Sequence, residues 1–267
     1  MDSIRPSITG LVKYAMDRSD SFDSLVRSVH SNVLKQRAYF FTWWATGRYY
    51  EAPIDPLKLI YIDPSEVTHL ISKQETVFSY PKHVSFVADG DWDMNLKPLD
   101  QYDLYRGFEA HFLYGVSWEE TDWYDRVCQQ IESGRTKWGF TSENEFQNRL
   151  AELDALYKTI KKQGYLTQRE ILLRDYEDPI NRSERKSVPV HCPELMEVTV
   201  VINREGEVLF HDGRNRFSIA RILGIDRIPV RVRLRHENWQ QHRDLVASSS
   251  DTASDRSHPD LQFTQRQ

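Results

Sequence analysis

The sequence predicts an α+β protein, and three observations carry that prediction. Val198 to Ile202 and Glu207 to His211 are apolar runs of strand length around Asn203-Arg204-Glu205-Gly206, where the glycine suits the positive φ of a hairpin turn. Ser117-Trp118-Glu119-Glu120 and Ser142-Glu143-Asn144-Glu145 both have capping-box spacing, in which a serine hydroxyl and a glutamate three residues on satisfy orphan N–H groups at a helix start. Finally, Phe210-His211-Asp212-Gly213-Arg214-Asn215-Arg216-Phe217 leads from a strand-like run through a glycine into a helix with two early arginines.

Taken in chain order, Phe22, Leu25, Val26, Val29 and Val33 fall at helical spacing after Asp20 and Ser21. The aromatic run Ala38-Tyr39-Phe40-Phe41-Thr42-Trp43-Trp44 follows directly, and the whole reads either as a core helix with buried aromatics or as a membrane-surface helix. Tyr50 to Pro56 is a proline-punctuated turn, Leu57 to Ile62 and Val84 to Ala88 read as short strands, and Asp89-Gly90-Asp91-Trp92-Asp93 is an acidic turn. The helix from Ser117 runs to about Ser133 with Tyr124, Val127, Cys128 and Ile131 on one face. The helix from Ser142 runs to about Lys162 with a stripe of Phe146, Leu150, Leu153, Tyr157 and Ile160. Trp118, Trp123 and Tyr124 read as core, or alternatively as a stacking platform.

Arg174 to Ser187 is a charged stretch that reads as an exposed excursion. After the hairpin, Asp212 is the natural N-cap of a helix from Gly213 or Arg214 to Leu223, which Gly224 stops. Ile228-Pro229-Val230-Arg231-Val232-Arg233-Leu234-Arg235 is a strand of strict alternation, apolar on one face and arginine on the other. The organisation expected is an aromatic-rich, largely helical region over 1–140, a domain over 141–245, and a mostly disordered tail over 246–267 in which His258 to Phe263 docks. The boundary near Gly139 follows from composition, because six of the seven tryptophans lie before it.

A chain of 267 residues that is 39% hydrophobic buries a sizeable core. No run approaches the roughly eighteen apolar residues of a membrane span, and Met-Asp-Ser-Ile-Arg-Pro lacks a signal-peptide core, so the expected location is cytoplasmic, with no integral membrane segment. Cys128 and Cys192 are too few for a disulfide framework. His211, His236 and His242 with Glu237 lack metal-ligand spacing, and Asp89, Asp91 and Asp93 lack the glycine and glutamate of a calcium loop, so no metal site is expected.

The charge is concentrated. Between His211 and Arg243 stand eight arginines, no lysine and three acids, in a chain of formal net charge -5. A helix start has N–H groups without intrahelical partners and the positive end of the macrodipole, and the glycine lets a ligand approach the main chain. Phosphate is the natural guest, with Gly213, Arg214, Asn215 and Arg216 as the phosphate-binding positions, since guanidinium meets phosphate oxygens bidentately. Arg231, Arg233 and Arg235 read first as the solvated face of an edge strand. If that face lines the cradle instead, Arg231 and Arg233 extend the basic patch. Asp212 is first an N-cap and, as an alternative, a candidate catalytic base or Mg²⁺ ligand beside the phosphate.

Leu153-Asp154-Ala155-Leu156-Tyr157-Lys158-Thr159-Ile160-Lys161-Lys162-Gln163-Gly164, Asp212-Gly213-Arg214-Asn215-Arg216, Leu223-Gly224-Ile225 and Ile228-Pro229-Val230 together resemble the ParB/sulfiredoxin-like domain, over roughly residues 146 to 236. The resemblance implies a small mixed sheet with packed helices and a nucleotide-phosphate cradle at Gly213 to Arg216. Many relatives have histidine where this chain has Asn215, which donates to an oxyanion but does not titrate. Sulfiredoxins need a cysteine where Arg214 stands, so sulfinic-acid reduction is not expected. Partition proteins follow the domain with a helix-turn-helix DNA reader and a dimerisation region, and the 31 residues after His236 do not hold both.

The expected function is therefore binding of a nucleotide or another phosphate-bearing ligand, with a nucleotide-dependent kinase or nucleotide hydrolase using Mg²⁺ as its enzymatic form. The alternative is a non-catalytic nucleic-acid-binding or nucleotide-sensing adaptor that uses the same arginines on backbone phosphates. The net charge of -5 weighs against extended nucleic-acid binding.

Overall fold

A computed structural model describes residues 20–46, 50–71, 78, 80–134, 139–174, 192–249 and 257–262. In order they form α1 (Asp20–Thr46), β1 (Leu59–Ile62), β2 (His69–Ile71), β3 (Phe86–Ala88), β4 (Leu96–Pro98), α2 (Asp103–Phe112), α3 (Asp122–Glu132), α4 (Glu143–Gln163), α5 (Gln168–Leu173), β5 (Val198–Ile202), β6 (Val208–Asp212), α6 (Arg214–Ile222), β7 (Ile228–His236) and α7 (Glu237–Ser248). The architecture is mixed α+β around one mixed sheet.

The expected hairpin is present: β5 and β6 pair antiparallel, and Asn203 Oδ1 accepts from the N–H groups of Glu205 and Glu207 at 3.1 and 2.7 Å. Gly206 adopts φ 91°, and a Cβ there would run into the Trp239 ring, so only glycine closes this turn. After α6 the chain returns as β7, parallel to β5. The first half of the chain supplies the rest of the sheet, whose order is β1-β7-β5-β6-β2-β4. β1 runs antiparallel to the first half of β7 and β3 parallel to its second half, so β7 is flanked along both sides.

Two expectations change here. Four of the seven strands come from residues 59–98, so the first 140 residues are not a largely helical region apart, and the sheet continues across the composition change near Gly139. Strands of three or four residues are too short to display a period of two, and they gain their stability from partners far away in sequence. β7, in turn, is not an edge strand. All nine of its residues are buried.

The strict alternation of β7 is also broken. Val200 pairs with Val232 but Val201 pairs with Leu234, which leaves Arg233 as an extra residue, a β-bulge. Val230 and Val232 pack with Val198, Val200, Phe210 and the α6 residues Phe217 and Ala220. Leu234 packs on the other face with Val201, Leu209, Phe86 and Trp92. Past the bulge the phase is inverted, and Arg235 no longer shares a face with Arg231 and Arg233.

Helices α2, α3 and α4 make a separate apolar cluster of Phe108, Trp118, Trp123, Phe146, Leu150 and Leu153 that meets the sheet layer through Ile219 of α6. Trp118, Trp123 and Tyr124 are core, in agreement with the first of their two readings. Ser142 caps α4 by accepting from the Glu145 N–H at 3.3 Å. The helix expected from Ser117 divides instead into a 3-10 turn (Trp118–Glu120) and α3, which Thr121 caps by accepting from the Tyr124 N–H at 3.2 Å. α1 is longer than its periodic stretch and takes in the aromatic run: Ala38 and Thr42 are buried, while Trp43 is 71% exposed. Among the described residues no helix is long and apolar enough to cross a membrane.

The acidic turn is explained by Arg204. Asp93 accepts from its backbone N–H at 2.9 Å and its Nε at 3.1 Å, and Asp91 from its Nη2 at 2.9 Å, which ties this turn to the β5–β6 hairpin. At the C-terminal side α7 continues to Ser248, and a 3-10 turn at Pro259–Leu261 docks with Asp260 and Leu261 buried, so the described part of the tail is ordered. Residues 250–256, 263–267 and most of the expected excursion, 175–187, lie outside the described residues.

Candidate functional site

The start of α6 opens on a cavity of about 400 Å³ lined by residues from six parts of the chain. Gly213, Arg214, Asn215 and Arg216 form its helix-start wall, and Thr199 on β5, His211 on β6 and Arg231 and Arg233 on β7 form the wall made by the sheet. Lys82, Arg149 of α4, Gln168 of α5 and Glu197 complete it. Six cationic side chains and two carboxyls, Asp212 and Glu197, therefore surround one space.

The helix start differs in detail from the expectation. Gly213, not Asp212, is the N-cap, with φ 93°. Asp212 Oδ1 accepts from the Gly213 N–H at 2.9 Å, while Oδ2 faces Lys82 Nζ at 3.5 Å. A Cβ on Gly213 would sit 2.9 Å from the Cα of Val198, so this glycine serves the close packing of β5 against the turn and a backbone conformation that L side chains avoid. That replaces the expected reason, approach of a ligand to the main chain. No acid stands in the first turn of α6, so no carboxylate of its own helix competes for the N–H groups of that turn.

Arg214 and Arg216 are built into the wall as well as lining the cavity. Arg214 bonds the Tyr102 hydroxyl, and burial lowers its pKa. Arg216 donates from Nη2 to the Leu166 carbonyl at 2.5 Å and stacks on Tyr165 at 4.8 Å. Asn215 lines the cavity beside them.

Arg231 and Arg233 are 1% and 5% exposed, which overturns their reading as a solvated face. Arg231 donates to the Lys82 carbonyl at 2.6 Å and the Ser85 hydroxyl at 3.5 Å, and its Nε is buried without an acceptor. Among the described residues no carboxylate pairs with it. Burial and the neighbouring Arg233 push its pKa down to about 10, a large displacement for a guanidinium. Arg233 donates to the Tyr80 carbonyl at 2.9 Å, lies 5.0 Å from the Phe78 ring centroid, and meets His211 Nε2 at 3.0 Å.

Because a guanidinium only donates, His211 Nε2 accepts that bond and the ring proton is on Nδ1, which donates to Thr199 Oγ1 at 3.0 Å. Thr199, His211 and Arg233 thus form a polar line across β5, β6 and β7.

Glu197 was not singled out by the sequence. It immediately precedes β5 and is 4% exposed. Its Oε1 accepts the Gln168 N–H at 2.6 Å at the start of α5, while Oε2 is buried with no hydrogen-bond partner. Burial outweighs that bond and the nearby Arg216, and pushes the carboxyl up to about 7. Lys82, Arg149 and Gln168 were missed for another reason: each comes from an element distant in sequence, and nothing local marks them. For Thr199 a signal existed, since it is the one polar residue in Val198-Thr199-Val200-Val201-Ile202, a strand buried at every position.

The structure therefore brings Asp212, Gly213, Arg214, Asn215, Arg216, Arg231 and Arg233 to one cavity. His236 and His242 lie elsewhere, His236 bonding the Gly90 carbonyl at 2.9 Å and His242 packing on Trp239. Among the described residues no group of three histidine, cysteine or acidic side chains is placed to hold a metal ion. Comparison with family models, curated proteins and solved structures finds no match to this chain.

Proposed function

We propose that this cavity binds a small phosphate-bearing ligand, a nucleotide foremost, against the N-terminus of α6. One observation carries the reading: six cationic side chains surround two carboxyls in a single cavity, and among the described residues Arg231 is buried there without a carboxylate partner. Burying an unpaired guanidinium is costly, and an anion within reach relieves the cost. The volume, about 400 Å³, is in the range of small-ligand sites. Because Arg231 and Arg233 are buried at the sheet rather than displayed on a surface, a small ligand fits better than an extended nucleic-acid backbone. Mg²⁺ would arrive with the phosphates, with Asp212 as the carboxylate beside the helix start.

The test is a thermal-shift panel of ATP, CTP, GTP, ADP and inorganic phosphate, each with and without Mg²⁺. At a hundredfold excess over Kd a specific ligand stabilises by about 2.7 kcal/mol, or roughly 5 °C or more for a chain of this size. Arg231→Leu abolishes that shift. No shift with any member of the panel refutes the reading. Release of inorganic phosphate from the bound nucleotide, lost in Asp212→Asn, extends it from binding to phosphoryl transfer.

A further inference from the structure

We infer that the ligand carries a hydroxyl or amino hydrogen-bond donor within a few bonds of its phosphate, received by Glu197 Oε2. The class is a phosphorylated polyol or nucleoside rather than inorganic phosphate or a bare phosphodiester. This rests on the phosphate reading above.

The inference comes from what the cations leave unsatisfied. Glu197 lines the cavity and is 4% exposed, and one of its oxygens already accepts the Gln168 N–H at 2.6 Å. The other is buried and has no hydrogen-bond partner among the described residues. A buried acceptor without a donor costs on the order of 1–3 kcal/mol. Among the described residues none supplies one: Glu170 of α5 and Glu194 of the preceding turn are acids that oppose its ionisation, and the nearby Arg216 of α6 donates to the Leu166 carbonyl and the Tyr165 hydroxyl. Burial, with the two acids adding to it, pushes the carboxyl up to about 7.

Inorganic phosphate would answer the cationic side of the cavity but set a second negative charge beside Glu197 in its ionised form. A ligand with both groups answers both. The spacing suits one: Thr199 and Arg231 are partners in the β5–β7 register, and Glu197 stands two residues before Thr199. That places the Glu197 and Arg231 backbones roughly 8 Å apart, close enough for one small molecule to touch both side chains.

The experiment measures the affinity of the full chain for sn-glycerol 3-phosphate and n-propyl phosphate, two monoesters of similar size that differ in their hydroxyls. The expected result is binding of the glycerol ester about tenfold or more tightly. In Glu197→Met, which removes acceptor and charge together, the ratio falls to about two or less. Glu197→Leu, likewise without an acceptor, gives the same collapse and serves if the methionine variant is unstable. Equal affinities in the wild type overturn the inference and leave phosphate binding standing. A preference that persists in both variants also overturns it, since the donor is then received elsewhere. If neither ester, inorganic phosphate nor any nucleotide binds, the phosphate reading itself has failed.

Discussion

Arg231 and Arg235 stand four residues apart on the same strand, and each is almost wholly withdrawn from water, at 1% and 3% exposure. Their surroundings are opposite. Arg235 holds Asp260 with two hydrogen bonds, Nε to Oδ2 at 2.9 Å and Nη2 to Oδ1 at 2.6 Å, and Arg243 and Trp239 Nε1 meet the same carboxylate at 3.0 Å each. Gln240 and the Ala52 carbonyl take further protons of Arg243, so the cluster is packed shut. Arg231 has two neutral acceptors, another arginine beside it, and a cavity. A buried charge with its counter-charge in place belongs to the architecture. One that lacks it, beside an opening, points to a ligand.

The largest effect is expected at the closed end. Asp260→Asn leaves two buried guanidiniums without a counter-charge and should cost about 3–5 kcal/mol in urea unfolding, with or without phosphate ligands. A loss below about 1 kcal/mol would show that the cluster is not the paired structural site described here.

The two ends also respond to pH with opposite sign. Burial alone would raise the Asp260 carboxyl, but Arg235 and Arg243 outweigh it and hold the group far below its usual 3.8. Its stabilisation is therefore full above about pH 4 and is lost only in stronger acid. Glu197 is displaced upward, from 4.5 to about 7, so the folded state favours its protonated form. Its contribution is complete below about pH 4.5 and is lost as pH rises through 7, a change of roughly 3 kcal/mol in all. Unfolding followed from pH 5 to 8 should show wild type losing stability relative to Glu197→Gln. Parallel curves would mean that Glu197 is solvated.

The smallest effect on stability separates the arginines themselves. Arg231→Leu should be neutral or stabilise the free protein by about 1 kcal/mol, because it removes a buried charge that has no counter-charge among the described residues. Arg235→Leu strands Asp260 with Arg243 alone and should cost more. If both substitutions destabilise equally, the contrast between the two ends of β7 fails.

Part of this contrast was legible in the sequence. The Asn203 to Gly206 turn, the Ser142 cap and the glycine before Arg214 are local patterns whose geometry follows from a few adjacent residues. Alternation places Arg231 and Arg233 first on a solvated face and only alternatively in a basic patch, and it does not show their burial, which depends on β1 and β3 flanking β7 from residues 59–62 and 86–88. Asp260 lies in the segment expected to dock, but nothing local marks it as a counter-charge, and nothing local marks Glu197. Each is defined by partners that no local window contains: Arg235 and Arg243 for Asp260, and an unshared oxygen at the cavity wall for Glu197.

The bulge at Arg233 has a consequence for how this segment tolerates change. A period of two assigns every side chain of a strand to a face by counting, so one extra residue sorts the arginines of β7 between cavity and cluster as surely as their identity does. Exchanging one of these side chains alters one end of the strand. Removing Arg233 itself would leave Val232 opposite Val200 and Leu234 opposite Val201 in an unbroken ladder, with Arg235 still on the Asp260 face and one arginine fewer at the cavity wall. A residue gained or lost elsewhere in β7 would exchange the faces of everything beyond it, turning Arg231 from the cavity or Arg235 from Asp260. A change of length in β7 is accordingly tolerated at the bulge and damaging in the rest of the strand.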